Sequence, residues 1–200
     1  MPLTRIVVIA LAATALAAGT AAAAPALDPA AAPGGHYELD RRHTSVTASV
    51  LHMGLSHFTM RIEGVEGGFD YDPANPVASK ISITMDARSL DAGDPGVSKT
   101  FAGEFLDADH NPTITFVSTA IRQTDPGHGV VSGDLTFRGV TRPVSLDVAY
   151  NGFASSLILG RKMGFSASTV IKRSEFGSKA WQNAVADEVR VVIETEFAKK

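Results

Sequence analysis

Apolar and polar residues alternate along most of this chain. In residues 133–148, GDLTFRGVTRPVSLDV, Leu135 and Phe137 share one face before a polar turn, and Val144, Leu146 and Val148 share one face after it. The same period of two places together Val46, Ala48 and Val50; then Phe58, Met60 and Ile62; then Ile81, Ile83 and Met85. It puts Ile114 and Phe116 on one face, Val117 and Ile121 on the other, and keeps Val189, Val191, Ile193 and Phe197 in phase. Strict alternation is the signature of a half-buried strand. About eight such runs are separated by turn-forming stretches such as DPANP, the spacing of a sandwich or barrel. One helix is expected, residues 98–107, where Phe101 and Phe105 lie one turn apart before Asn111-Pro112 stops it. Residues 178–185, SKAWQNAV, read as a second short helical turn.

Antiparallel strands with one apolar face each must hide those faces from water. Closing the sheet on itself does so and removes its edges. The expected fold is therefore all-β: a single closed antiparallel barrel of about eight strands with one short helix at its side. At that size the interior holds packed side chains or one slim ligand. The inward stripe of Ile, Leu, Val, Met and Phe is compatible with both.

The first residues do not share this pattern. Arg5 precedes an apolar run, residues 6–18, and the small residues AGTAAAAPA follow with an A-x-A site at Ala21–Ala23. This is the pattern of a secretory signal peptide, residues 1–23. Residues 24–36 read as a flexible Pro/Ala/Gly leader without packing capacity, and residues 37–198 as one domain. Cleavage removes Arg5 and takes the formal charge from −3 to −4. A mildly acidic domain gives no electrostatic case for nucleic acid. There is no cysteine, so an exported chain is held by its core alone. The bacterial periplasm is the expected address, with full secretion the alternative.

Catalytic patterns are weak. GFSAS, residues 164–168, lacks the final glycine of a nucleophile elbow and sits within a strand run. GHGVVSG, residues 127–133, precedes a strand and reads as a hairpin turn, since a phosphate loop needs a following helix N-terminus. His52 and His57 face opposite sides of a regular strand. DADH, residues 107–110, offers metal-type ligands but also suits an ordinary turn. Asp187 and Glu188 point apart. No catalytic residue, metal site or cofactor is expected. Trp181, the single tryptophan, either packs beneath a loop or stands at the mouth of the interior.

Several strings occur together in order: YELDRRHTSV, LHMG, NPTITFVST, VSGDLTFRGVTRPVSLDV, GFSASTVIKRSEFG and ADEVRVVIE. In this they resemble the YceI-like family of exported lipid-binding proteins, over residues 37–197. The resemblance implies a lipocalin-like barrel with a helix over one side. It also implies a long apolar pore for a polyisoprenoid or similar amphiphile, a periplasmic address and often a homodimer. His43 and His52 match family positions and are expected to be hydrogen-bonding structural residues. Two positions depart from the family pattern. GVSKTFA replaces a more polar stretch, with Val97 and Lys99 at its Asp and His positions, and Met60 stands where glycine is common.

These readings converge on a binding protein whose barrel holds a long-chain lipid. The alternatives are a stress-related barrel with a packed interior and a hydrolase acting on lipid. The residues expected to line the pore are Ile81, Ile83, Met85, Phe116, Leu135, Phe137 and Phe165, with Trp181 at its mouth. A register error of one residue would turn any of these strands' choices outward.

Overall fold

The computed structural model describes residues 24–158 and 160–200. The strands among them are β1 (Gly35–Leu39), β2 (Ser45–His52), β3 (Ser56–Ile62), β4 (Val65–Tyr71), β5 (Ile81–Asp86) and β6 (Leu90–Asp91), then β7 (Thr113–Asp125), β8 (His128–Phe137), β9 (Val140–Ser156), β10 (Gly160–Lys172) and β11 (Val185–Lys199). One α-helix, α1 (Pro95–Glu104), lies between β6 and β7. Every pairing is antiparallel, and β11 closes the sheet by pairing with both β1 and β2.

The first three staves are each broken once. A 3-10 turn at Arg41–His43 separates β1 from β2, residues 63–64 separate β3 from β4, and a 3-10 turn at Ala87–Ser89 separates β5 from β6. The eleven strands therefore form eight staves, each hydrogen-bonded to its neighbours in sequence and the last to the first. Short polar side chains make the breaks. The carboxylates of Asp40 and Asp86 accept from the backbone N–H of Arg42 (3.0 Å) and Arg88 (2.9 Å), the local competition with ladder bonds that favours Asp in turns. Ser89 Oγ accepts from Gly64 N at 2.7 Å and ties the adjacent breaks together.

The alternation resolves as expected. Val46, Ala48 and Val50 of β2 face the interior, as do Val189, Val191, Ile193 and Phe197 of β11. This leaves Thr47, Ser49, Arg190 and Glu194 on the outward side of the pleat. That is the reverse of a membrane barrel, whose apolar band faces out. The expected opposition of Ile121 to Ile114 is corrected. A bulge between Ser118 and Ala120 inserts one residue against β8, so Ile121 lines the interior with Ile114 and Phe116, while Val117 stays exposed.

The connections alternate between two ends. At the helix end lie α1, the β2–β3 hairpin and residues 173–184. At the other lie residues 24–34, the β4–β5 loop and the β7–β8 hairpin. The helix begins three residues earlier than expected. Asp94 accepts from the N–H groups of Gly96 and Val97, both at 2.9 Å, and Pro95 occupies the first helical position. Residues 178–185 do not form a helix: residues 180–184 are a turn that leads into β11, Val185 N donates to Trp181 O at 2.8 Å, and Trp181 has a left-handed φ of 52°.

The leader is also corrected. Residues 24–34 are packed as a strap across the end opposite the helix. Ala26 exchanges backbone hydrogen bonds with Phe153 of β9 (2.8 and 2.9 Å). Ala32 is 1 % exposed. Tyr71 Oη donates to Pro29 O and Tyr37 Oη to Pro33 O, each at 2.8 Å. The strap is apolar and proline-rich yet anchored, because its carbonyls serve as acceptors for barrel tyrosines. The expected signal segment, residues 1–23, lies outside the described residues.

Candidate ligand-binding cavity

The inward faces of the staves enclose a cavity of about 810 Å³, within the roughly 300–1,000 Å³ of small-molecule sites. It runs from the strap, where Asp28, Pro29 and Ala30 border it, to the helix end, where Val97, Phe101 and Phe105 border it. The middle of the wall is almost wholly aliphatic and aromatic. Ile81, Ile83 and Met85 come from β5, Phe116 from β7, Leu135 and Phe137 from β8, and Phe165 from β10. All seven residues selected from the alternation thus stand on the wall of one cavity. Two of the faces in residues 133–148 cover the same space, since Val144, Leu146 and Val148 line it from β9. Met60, one of the two departures noted in the sequence, also points inward.

An aromatic group gathers at the helix end. Trp181 packs edge-on against Phe101 and Phe105, with ring centroids 5.6 and 5.7 Å apart. Phe101 also meets Phe105 (5.0 Å) and Phe58 (5.3 Å). Trp181 is 47 % exposed yet borders the cavity, the placement of a mouth residue. Beneath it Arg173 is buried, with its guanidinium 5.6 Å from the Phe105 ring centroid. It donates to the carbonyls of Ala186 (2.9 Å), Ser178 (3.0 Å), Ala180 (2.8 Å) and Val185 (2.8 Å). Burial lowers its pKa. The residue stitches residues 173–186 into a floor and spends most of its donors doing so.

The strap end carries a denser aromatic cluster. Tyr37 stacks on Phe69 at 5.5 Å, Phe69 meets Phe197 edge-on at 5.0 Å, and Tyr150 leans on Phe165 at 5.5 Å. Desolvation raises the pKa values of Tyr37, Tyr71 and Tyr150, the last furthest. Tyr150 is absent from the residues picked by sequence, although it continues the phase of Val144, Leu146 and Val148. Ser79, Gln123 and His128 border the same cavity. They come from loop and strand-end positions that alternation does not address.

The histidines are dispersed. His52 and His128 border the cavity from opposite ends, and His57 is exposed. His43 Nδ1 pairs with Asp40 Oδ2 at 2.9 Å, as a structural histidine should. His52 is corrected: it borders the cavity, with no side-chain hydrogen bond among the described residues. Asp40, His43 and Glu196 form a group with metal-like spacing on the barrel's outer side. Its cation is built in, because Lys162 Nζ donates to Asp40 Oδ2 at 2.7 Å and to Glu196 Oε2 at 2.8 Å. The hydrogen bond from Lys162 holds the Asp40 carboxyl well below the usual carboxylate range. In DADH, His110 Nδ1 pairs with Asp107 Oδ1 at 2.9 Å as a local turn contact.

Comparison with known proteins agrees with this architecture. A UPF0312 protein of Pseudomonas putida is 35% identical over 168 residues, covering 82% of this chain and 85% of its own. A UPF0312 protein of Vibrio cholerae is 34% identical over 152 residues, covering 74% and 80%. Among solved structures, BcnA of Burkholderia cenocepacia superposes with a TM-score of 0.70 at 27% identity, over 79% of this chain and 98% of that one. A YceI protein of Campylobacter jejuni gives 0.64 at 26% identity, over 75% and 89%. The YceI-like domain model matches residues 37–197, the span that forms the closed barrel, and by that match the chain belongs to the YceI-like family.

Proposed function

We propose that this protein is a non-catalytic, periplasmic binding protein that holds a polyisoprenoid or similar long-chain amphiphile inside its barrel. The observation that carries the reading is the cavity of about 810 Å³ running between strap and helix. An interior packed by its own side chains, the main alternative, would leave no such volume, because protein cores close to crystal density. A domain of a Saccharophagus degradans protein described as polyisoprenoid-binding shares the fold, with a TM-score of 0.64 at 12% identity.

The energetics need little more than the wall. Each methylene transferred from water contributes about 0.8 kcal/mol, so a tail of roughly 20 carbons gains on the order of 16 kcal/mol. Association costs of about 4–15 kcal/mol offset most of this and leave useful affinity. Among the described residues no hydroxyl on the wall is hydrogen-bonded to His52 or His128, His128 pairs with Asp125, and Arg173 is engaged with backbone carbonyls. Carriage, storage or scavenging of the lipid fits this arrangement better than its hydrolysis.

Apolar-solvent extraction of protein purified from its native compartment, followed by mass spectrometry of the extract, tests the reading. A long-chain amphiphile in roughly stoichiometric amount is expected. A clean extract, together with failure of the protein to take up any prenyl chain in solution, would favour the packed-barrel alternative.

A further inference from the structure

Three tyrosines meet under the strap, and their hydroxyls are treated differently. Tyr37 Oη and Tyr71 Oη each donate to a strap carbonyl. Tyr150 Oη is buried and has no hydrogen-bond partner among the described residues. An unpaired buried hydroxyl is costly, and each in a native protein calls for an explanation. Tyr150 borders the cavity, and so does Ser79, whose buried Oγ is likewise unpartnered and lies at the same end. The wall between this end and the helix is mostly hydrocarbon; its hydroxyls are those of Thr44, Thr169 and Thr195, and Thr44 and Thr195 bond each other at 2.8 Å.

The geometry points to Tyr150 as the residue that anchors the polar end of the bound amphiphile, with Tyr150 Oη donating to an uncharged oxygen acceptor, a carbonyl or hydroxyl, at the strap end of the barrel. This rests on the lipid-binding reading above and adds an orientation and a head-group class. Charge complementarity selects the class. Tyr37 and Tyr71, which face Tyr150, stay neutral because burial raises their pKa values, so the negative charge at this end is that of Asp28; His128, also on the cavity wall here, pairs through Nδ1 with Asp125 Oδ1 at 2.8 Å. Asp28 itself borders the cavity. A phosphate head would meet that carboxylate with no lysine or arginine on the cavity wall at this end. The buried cation that does border the cavity, Arg173, is at the opposite end and gives four hydrogen bonds to carbonyls. Ser178 Oγ, also buried and unpartnered, lies beside it and is the competing anchor.

A matched series of 15-carbon probes separates these possibilities: farnesol, farnesyl phosphate and the hydrocarbon farnesene, titrated into delipidated protein and followed by Trp181 fluorescence and native mass spectrometry. The parent is expected to bind farnesol about tenfold more tightly than farnesene, the worth of one hydrogen bond that would otherwise go unmade, and farnesyl phosphate more weakly than farnesol. Tyr150→Phe should bring farnesol down to the level of farnesene and leave farnesene unchanged. The variant should melt no lower than the parent in the ligand-free state, since it removes an unsatisfied hydroxyl. Ser178→Ala should leave the farnesol preference intact. An unchanged farnesol affinity in Tyr150→Phe, a loss confined to Ser178→Ala, or a preference for the phosphate would overturn the anchor while the lipid reading stands. Failure of all three probes to bind the parent would instead strike the lipid reading itself.

Discussion

Lys162 shows how one side chain sets the behaviour of its neighbours. It is 15 % exposed and bridges Asp40 and Glu196 where β1 gives way to the Arg41–His43 turn. Burial alone would lower its pKa, but the hydrogen bonds to Asp40 and Glu196 raise it. Asp40 is shifted the other way, below its unfolded value. A carboxylate with a depressed folded pKa contributes stability that is complete above the unfolded pKa of about 3.9 and is lost as pH falls below it. Lys162→Met should therefore cost about 1–3 kcal/mol at neutral pH, because it leaves two carboxylates without their cation. Its stability should also fall less steeply than the parent's below about pH 4. Urea titrations across pH measure both, and parallel acid limbs in the two proteins would count against this role. At the same scale, sequence reading succeeds where phase is simple and fails where it is not. Tyr150 was in phase with Val148 and could have been found. Ser79 and Asp28 could not, because loop and strap residues have no period to betray their direction.

Elements were legible to the extent that alternation persisted. The staves from β7 to β11 carry long in-phase runs, and their closure followed from the need to bury one face each. What escaped were local exceptions made by backbone hydrogen bonds. The bulge at Ser118 and Ala120 turned Ile121 inward, the Asp94 cap started α1 earlier, and the strap was held by tyrosine bonds to its carbonyls. Gly67 illustrates a constraint that alternation also hides. It has φ of +143° on β4, and a Cβ there would stand 2.1 Å from Ser82 O of β5. Gly67→Ala should thus combine backbone strain with a backbone clash and destabilise the barrel by about 3 kcal/mol or more. Chemical denaturation provides the test, and a change under about 0.5 kcal/mol, the level of an ordinary surface substitution, would contradict the close approach of these strands.

At the scale of the molecule, the eight staves, the strap and the helix-end aromatics together line one largely hydrocarbon cavity. The sequence indicated that the apolar faces converge. It could not decide whether they meet or leave a gap, because that depends on stave tilt and side-chain volumes summed around the whole barrel. Ala167 of β10 borders the gap between Val148 and Ile193, its neighbours across the sheet. Replacing it with tryptophan fills the space from one wall without touching a polar group. Native mass spectrometry of parent and Ala167→Trp, both loaded with the same prenyl chain and checked for intact β-barrel circular dichroism, puts the central claim to the most direct test. The account predicts a one-to-one lipid adduct on the parent and none on the folded variant. An adduct of equal abundance on both proteins would place the lipid outside the barrel and contradict it.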